Sequence, residues 1–211
     1  MVKTVVLVSG GGTNLQAIID ADRRGEIKNC ALTAVISSNP SAYALERAKN
    51  SGIPAYIINT ADHSDRTDYA NALFNKLQDL QTELIVCAGF LRIIDPLIIQ
   101  AYKDRIINIH PALIPAFSGS GYYGLRVHEA ALSHGVKITG ATVHFVTEVT
   151  DDGPIILQKA VPVLESDTAE SLQRRVMEEA EWDILPKAVS LFCEGRLKID
   201  GRKVRVMEET L

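Results

Sequence analysis

The segment 106–111 combines strand-forming residues with side chains that could stabilise charge. It opens with apolar, β-branched residues and then presents Asn108 and His110 two positions apart. An extended backbone places both side chains on one face. Pro111 lacks a backbone donor, so we expect His110 to lie near a strand end. Ligands of α/β proteins bind at the ends of strands, so this segment is a candidate site.

A second β-branched run, 141–146, leads to a turn at 151–154 that could aim Asp151 at the same strand ends. The amide of Asn108 and a protonated His110 can donate to an oxyanion, and a nearby carboxylate can hold the imidazole in its charged form and accept a proton. Because this set contains no nucleophile, it predicts acyl or formyl transfer by direct attack of one substrate on the other. A lone histidine before a proline is more often structural, so this interpretation requires the three residues to meet.

A glycine-rich turn near the start of the chain is a candidate phosphate site. A predicted strand at 5–8 runs into Ser9–Asn14, and helical spacing begins at Leu15. A helix N-terminus presents free N–H groups and a positive dipole, and we expect Thr13 or Asn14 to cap the helix. The turn matches neither the dinucleotide fingerprint nor the Walker loop. A purely structural turn therefore remains an alternative.

The order of predicted elements indicates an α/β fold. Strands alternate with helices as far as residue 110, which predicts a single-domain, mostly parallel, doubly wound (Rossmann-like) sheet. Two β-rich runs at 138–147 and 155–161 then predict an antiparallel C-terminal addition. The remaining elements that we predict are helices at 62–80, 128–132, 169–182 and 187–194, and a hairpin at 197–206 with an Asp-Gly turn.

Composition restricts the partners and the compartment. The 211 residues are 46 % hydrophobic and carry a net charge of −4, which argues against a nucleic-acid partner. No apolar run approaches the ~18 residues of a membrane span, and the start has no signal-peptide layout. The three cysteines are widely spaced, without a zinc pattern or a disulfide framework. We therefore expect a cytoplasmic protein.

The motifs resemble those of the folate-dependent phosphoribosylglycinamide formyltransferases of purine biosynthesis. The resemblance extends from Val5 to the last helix and rests on Asn108–Pro111 with Leu113–Pro115, on Thr142–Val146 and on Asp151–Gln158. It implies one domain, 1–211, with a nucleotide- and phosphate-binding half, 1–110, and a folate-binding and C-terminal half, 111–211. It further implies 10-formyltetrahydrofolate as co-substrate, small-molecule partners, no metal, and a monomer or homodimer.

The resemblance also assigns site residues. Catalysis is assigned to Asn108, His110 and Asp151. Binding of glycinamide ribonucleotide is assigned to Gly12, Thr13, Asn14, Glu178 and Glu181. Folate binding is assigned to Arg66, Leu91, Arg92, Ile93, Ile94, Asn108, Thr147 and Asp151. Read without the resemblance, Arg66 is a surface charge, Arg92 could pair with a carboxylate in a buried connection, and Glu178 and Glu181 form a solvated acidic face.

One loop departs from the pattern of the family. Residues 116–126 are glycine-rich with two tyrosines, and Arg126-Val127-His128 replaces the His-x-His of better-known members. The roles of Arg126 and His128 therefore remain open, with a cap or surface position as an alternative for His128. His144 is expected near the site, in an orienting role secondary to that of His110.

Three other functions compete with the leading one. A formyltetrahydrofolate hydrolase and a methionyl-tRNA formyltransferase share the Asn-x-His and Asp core, but the first has no use for a phosphate loop. The second would favour a more basic surface and an additional domain. A non-catalytic phosphometabolite-binding module would tolerate changes at His110.

Overall fold

Nine strands form one sheet in the computed structural model, which describes residues 1–208. In chain order the elements are β1 (Val2–Val8), α1 (Thr13–Arg23), β2 (Cys30–Ser37), α2 (Ala44–Asn50), β3 (Ala55–Ile57), α3 (Arg66–Asp79), β4 (Leu84–Cys87), α4 (Pro96–Ala101), β5 (Ile106–His110), α5 (Leu125–Ser133), β6 (Ile138–Phe145), β7 (Ile155–Pro162), α6 (Ala169–Val176), α7 (Trp182–Cys193), β8 (Leu197–Asp200) and β9 (Lys203–Val206). A 3₁₀ turn, Thr60–Asp62, precedes α3, and a π-helical turn, Met177–Glu181, joins α6 to α7.

The strand order is β3-β2-β1-β4-β5-β6-β7-β9-β8. All pairs from β3 to β5 are parallel, whereas β6 is antiparallel to both β5 and β7. The predicted doubly wound sheet with an antiparallel C-terminal addition is therefore confirmed. The chain winds outward from β1 in both directions, so the switch point lies between β1 and β4. Ligands of open α/β sheets bind at the carboxyl ends of the strands at such a point.

The side chains of β1 point alternately to the two faces of the sheet, and this alternation divides the core into two layers. Val5 and Leu7 pack with α3 and α4 on one face of the sheet, and Val6 and Val8 pack with α1 and α7 on the other. All four side chains are fully buried. Strands covered by helices on both faces must be apolar, as the segment Val5–Val8 of β1 is. The parallel half is thus a rigid support for the loops at its carboxyl edge.

Several predicted boundaries shift in the structure. The helix predicted from residue 62 begins at Arg66, because the side chain of Asp65 accepts a hydrogen bond from the backbone N–H of Asp68 and caps it there. Helix α5 begins at Leu125, three residues before the predicted start. The predicted hairpin is present as β8 and β9, and β9 also contacts β7 in parallel. No helix within residues 1–208 has the length and apolarity to cross a bilayer.

Candidate active site

A cavity of about 700 Å³ opens at the carboxyl ends of β1, β4 and β5. Its walls come from the loops that follow these strands, from residues 119–124, from the end of β6 with the segment after it, and from one side of the helical stretch at 173–181. Parts of the chain that are distant in sequence thus surround one space. Most of the residues that the sequence predicted for the site lie in these walls.

Asn108 and His144 face each other across the β5–β6 pair. Asn108 Nδ2 lies 3.2 Å from His144 Nε2, and His144 Nδ1 lies 2.9 Å from the carbonyl oxygen of Phe145. A carbonyl oxygen only accepts, so His144 Nδ1 donates, and Nε2 can accept from the Asn108 amide when it carries no proton or donate to Asp151 when it carries one. This contact fixes the amide's orientation and leaves its second N–H for another acceptor. The orienting position expected for His144 agrees with this arrangement.

His110 lies at the end of β5, with both ring nitrogens facing acceptors. Its Nε2 is 2.8 Å from the carbonyl oxygen of Phe117, and its Nδ1 is 3.5 Å from Asp151 Oδ2. Only the imidazolium can donate to both. Burial lowers the pKa of His110 below its ordinary value, and the Asp151 carboxylate raises it by less. The carboxylate therefore acts in the predicted direction, but burial has the larger effect and the neutral form is favoured at neutral pH.

Asp151 occupies the space between the two histidines. Oδ1 lies 3.7 Å from His144 Nε2, and Oδ2 accepts a hydrogen bond from the backbone N–H of Gly119 at 3.0 Å. Burial alone would raise the pKa of Asp151, but His144, His110 and the Gly119 N–H together lower it below the ordinary value. The carboxylate is thus ionised at neutral pH. The structure brings together the three side chains, Asn108, His110 and Asp151, that the motif reading selected.

A buried polar network fixes the chain immediately after His110. The Thr142 hydroxyl donates to the carbonyl of Ala112 at 2.6 Å and accepts from the N–H of Ile114 at 3.1 Å. Gln158 Nε2 donates to the same hydroxyl and to the Ile114 carbonyl. These bonds satisfy backbone groups that would otherwise be buried without partners. They attach the loop after β5 to β6 and β7, which holds the His110 end of the strand in place.

The glycine-rich loop after β1 ends at Gly12, which caps α1 with φ +71°. A Cβ at Gly12 would lie 2.6 Å from the Cβ of Ala44, so only glycine allows α1 and α2 to approach this closely. The prediction that Thr13 or Asn14 caps the helix is wrong, because no side chain caps it. The Thr13 hydroxyl instead lies 3.7 Å from the sulfur of Met177, and both predicted residues line the cavity. The first N–H groups of α1 are therefore open to an anion.

Glu181 forms the cavity wall beside the first turn of α1. It is 6 % exposed, and Oε2 accepts a hydrogen bond from Asn14 Nδ2 at 2.6 Å. Burial raises its pKa to about 7, and the bond from Asn14 offsets part of that rise. Glu178 is exposed and lies outside the cavity walls, so its predicted contact is not supported. The π-helical turn widens the helix here, so that residues three apart no longer share a face.

The predicted folate residues divide into two groups. Leu91–Ile94 and Thr147 line the cavity. The backbone N–H of Leu91 donates to the Ser9 hydroxyl, and Arg92 donates to the Thr60 hydroxyl. Arg66 lies outside the cavity, with Nε 3.6 Å from a carboxylate oxygen of Asp95. The structure thus places the apolar loop in the site and leaves Arg66 on the surface beside it.

Sequence reasoning missed several residues of the cavity wall. His128 is 1 % exposed and lines the cavity, so the surface alternative for it is wrong. Its Nδ1 has no partner among the described residues, and burial, followed by the charge of His110, lowers its pKa to about 4. Gln173 and Met177 precede Glu181 at intervals of four, a helical spacing that could have revealed both. The described residues include no group of three or more metal-binding side chains that could hold a metal ion.

Comparison with known proteins agrees with this geometry. The model of the formyl transferase family matches residues 2–189. The phosphoribosylglycinamide formyltransferase of Escherichia coli K12 is 40 % identical over 195 residues, which are 92 % of this chain and 89 % of that protein. The solved structure of glycinamide ribonucleotide transformylase 1 from Symbiobacterium toebii is 48 % identical, with a TM-score of 0.92 over 99 % of this chain and 95 % of that one.

Longer relatives contain a similar region. The trifunctional purine biosynthetic protein adenosine-3 of Bos taurus is 40 % identical over 210 residues. These residues are 98 % of this chain but only 20 % of the relative. The chain therefore spans about one fifth of the length of such relatives.

The raised pKa of Glu181 predicts a specific pH dependence of stability. A carboxyl group whose pKa rises from 4.5 to about 7 on folding stabilises the protein below pH 4.5, and this stability is lost as pH rises through 7. The side chain of Glu181→Gln stays neutral. We therefore expect its free energy of unfolding to rise by about 3 kcal/mol, relative to that of the unchanged protein, between pH 4.5 and pH 8. Urea unfolding of both proteins at the two pH values measures this gain. If the free energies of unfolding of the two proteins changed equally with pH, Glu181 would not titrate in this range.

Proposed function

The chain belongs to the formyl transferase family, and from this membership and the cavity's geometry we propose that it transfers the formyl group of 10-formyltetrahydrofolate to the amine of N1-(5-phosphoribosyl)glycinamide, a step of de novo purine biosynthesis. The observation that carries the proposal is the position of Asp151, 3.5 Å from His110 and in one cavity with Asn108 and a helix N-terminus that no side chain caps. A phosphate site and a proton-transfer site in one cavity suit a phosphorylated amine as acceptor.

The nucleotide would occupy the side of the cavity formed by α1 and the π-helical turn. Its phosphate would accept hydrogen bonds from the backbone of Gly12, Thr13 and Asn14, where the dipole of α1 is positive. Its ribose hydroxyls would donate to Glu181, whose carboxylate oxygens accept in pairs. Asn14 would support both contacts. Its backbone N–H belongs to the phosphate site, and its side chain donates a hydrogen bond of 2.6 Å to Glu181 Oε2. The glycinamide amine would then point toward Asn108 and His110.

The folate would occupy the opposite side of the cavity. The pterin ring would lie between the loop Leu91–Ile94 and the segment from Thr147 to Asp151, with the formyl group directed at β5. Leu91 and Ile93 are large apolar side chains with 60 % and 66 % exposure. An aromatic ring that covers them would remove this apolar surface from water. The proposed folate residues thus lie on both sides of residue 110, with Leu91–Ile94 before it and Thr147 and Asp151 after it.

The reaction would proceed by direct attack. The lone pair of the amine forms a C–N bond to the formyl carbon, and the formyl oxygen becomes an oxyanion. The free N–H of Asn108 would donate to that oxygen, and His110 Nε2 would exchange the carbonyl of Phe117 for it as acceptor. The tetrahedral intermediate then collapses, and the bond from the formyl carbon to the folate N10 breaks. Asp151 assists the transfer of the amine proton to the leaving nitrogen through water.

The charge that develops during attack changes the balance at His110. Burial favours the neutral ring, whereas the Asp151 carboxylate favours the imidazolium. An oxyanion beside the ring adds a second negative group, which favours the imidazolium further in the transition state. His144 contributes by orienting the Asn108 amide. The site thus provides more stabilisation for the transition state than for the substrates.

The proposal places the protein in the cytoplasm as a monomer or homodimer, with small molecules as its partners. All three cysteines are buried and free, which suits a reducing compartment. No metal takes part in the steps above.

A spectrophotometric assay with 10-formylfolate, run with and without glycinamide ribonucleotide, tests the proposal. We expect deformylation only when the nucleotide is present, because the amine is the nucleophile. Deformylation without it would identify a hydrolase instead. Binding of both ligands without turnover would identify a non-catalytic binding module.

Two substitutions test the assigned chemistry. We expect Asp151→Asn and His110→Ala each to lower kcat by about 10²- to 10⁴-fold, the usual contribution of a positioned acid or base. The affinity for the nucleotide should stay within about threefold, because its phosphate and ribose contacts lie at α1 and Glu181. Steady-state kinetics and calorimetric titration measure these two quantities. A near-normal kcat for Asp151→Asn would exclude the role assigned to this carboxylate.

A further inference from the structure

The terminal hairpin, β8 and β9, contacts the loop that carries Asp151. From this contact we propose that Arg202 is a positioning residue for the transfer reaction, which acts on Asp151 through Asp152. The inference rests on the proposed function, because it assumes that Asp151 takes part in the transfer. It concerns a part of the chain that follows the residues matched by the family model, 2–189.

The contact between Arg202 and Asp152 is a bidentate ion pair. Arg202 Nη1 lies 3.0 Å from Asp152 Oδ2, and Nη2 lies 2.9 Å from Oδ1. The pKa of the Asp152 carboxyl is lowered by these hydrogen bonds and by the guanidinium charge. Two parallel bonds fix the orientation of a carboxylate, which a single bond does not. Arg202 thus defines the position of the residue next to Asp151.

The backbone around Asp151 needs such support. Asp151 has φ +55°, a left-handed conformation that is unfavourable for a residue with a Cβ. The chain then passes so close to the end of β6 that a Cβ at Gly153 would lie 1.7 Å from the carbonyl oxygen of Phe145. On the other side, residues 148–150 are exposed. The strained residue therefore lies between a tightly packed glycine and an exposed turn.

The hairpin is attached next to this turn. β9 pairs with β7 at Ile155 and Lys203, two residues after the close passage at Gly153. The Arg202 pair adds a second attachment, which reaches past that passage to Asp152. The Arg202 pair thus restricts the loop at Asp152, in addition to the β7–β9 pairing and the Gly119 bond to Asp151. We infer that this restriction increases the fraction of molecules in which Asp151 lies between His110 and His144.

The decisive comparison is between two arginines of the same hairpin. Arg202 pairs with the loop, whereas Arg205 pairs within the hairpin, with Asp200 at 3.1 Å, and has a similar side-chain exposure. We expect Arg202→Ala to lower kcat about fivefold, which corresponds to about 1 kcal/mol, while KM for the nucleotide and the unfolding midpoint match those of Arg205→Ala. Arg205→Ala should keep the kcat of the unchanged protein.

Charge reversal distinguishes a positioning role of the ion pair from a non-specific loss of structure. In the double variant Arg202→Asp with Asp152→Arg, the ion pair can re-form, and we expect kcat at least about threefold above that of either single reversal. Asp152→Asn weakens the pair from the other side and should reproduce the loss, which keeps the test usable if Arg202→Ala does not fold. An unchanged kcat in Arg202→Ala, an equal loss in Arg205→Ala, or no recovery in the double variant would each overturn the proposal.

Asp151→Asn, assayed in parallel, separates this inference from the function on which it rests. If Asp151→Asn loses turnover and Arg202→Ala does not, the positioning role is wrong and the proposed function stands. If Asp151→Asn keeps turnover, the proposed chemistry is wrong, and with it the inference.

Discussion

The ionised carboxylate of Asp151, held in a largely buried position between two imidazoles, is the interaction on which the site depends. Burial opposes the charge, and His144, His110 and the N–H of Gly119 together outweigh that opposition. The same carboxylate raises the pKa of His110 against burial. Each group therefore shifts the protonation equilibrium of the other, and a displacement of either by one or two ångströms would weaken both effects.

The antiparallel addition to the sheet makes this interaction possible. Parallel strands β1, β4 and β5 bring the glycine-rich loop, the apolar loop and Asn108 with His110 to one edge, but they contribute no carboxylate between the histidines. β6 runs back along β5 and places His144 opposite Asn108. The connection from β6 to β7 then returns Asp151 to the edge that β5 has just reached. A shift of one residue in the β5–β6 register would turn His144 to the opposite face of the sheet.

The loop after β5 connects this pair to the rest of the cavity. Phe117 accepts a hydrogen bond from His110, and Gly119 donates one to Asp151, both through backbone atoms. Neither contact depends on side-chain chemistry, so the residue types of the loop do not reveal them. The loop thus connects the part of the cavity wall that contains Tyr122 and Tyr123 to both ionisable groups of the site.

The sequence predicts the parts of the fold that follow from periodicity. Apolar strands alternating with amphipathic helices indicate the parallel half, and Asn108 and His110 at i and i+2 indicate one face of a strand end. The features that the sequence could not predict depend on tertiary geometry. The π-helical turn separates Glu178 from Glu181, and Gly12 caps α1 in place of Thr13 because Ala44 packs against it. The burial of His128 depends on the path of the preceding loop, which local pattern does not determine.

The charge coupling between Asp151 and His110 can be measured directly by NMR titration of the His110 imidazole, assigned by its loss in His110→Ala. The account predicts that removal of the carboxylate charge in Asp151→Asn lowers the pKa of His110 by at least about one pH unit, because an opposite charge within about 4–6 Å favours the imidazolium. A His110 pKa that is unchanged or higher in Asp151→Asn would contradict it.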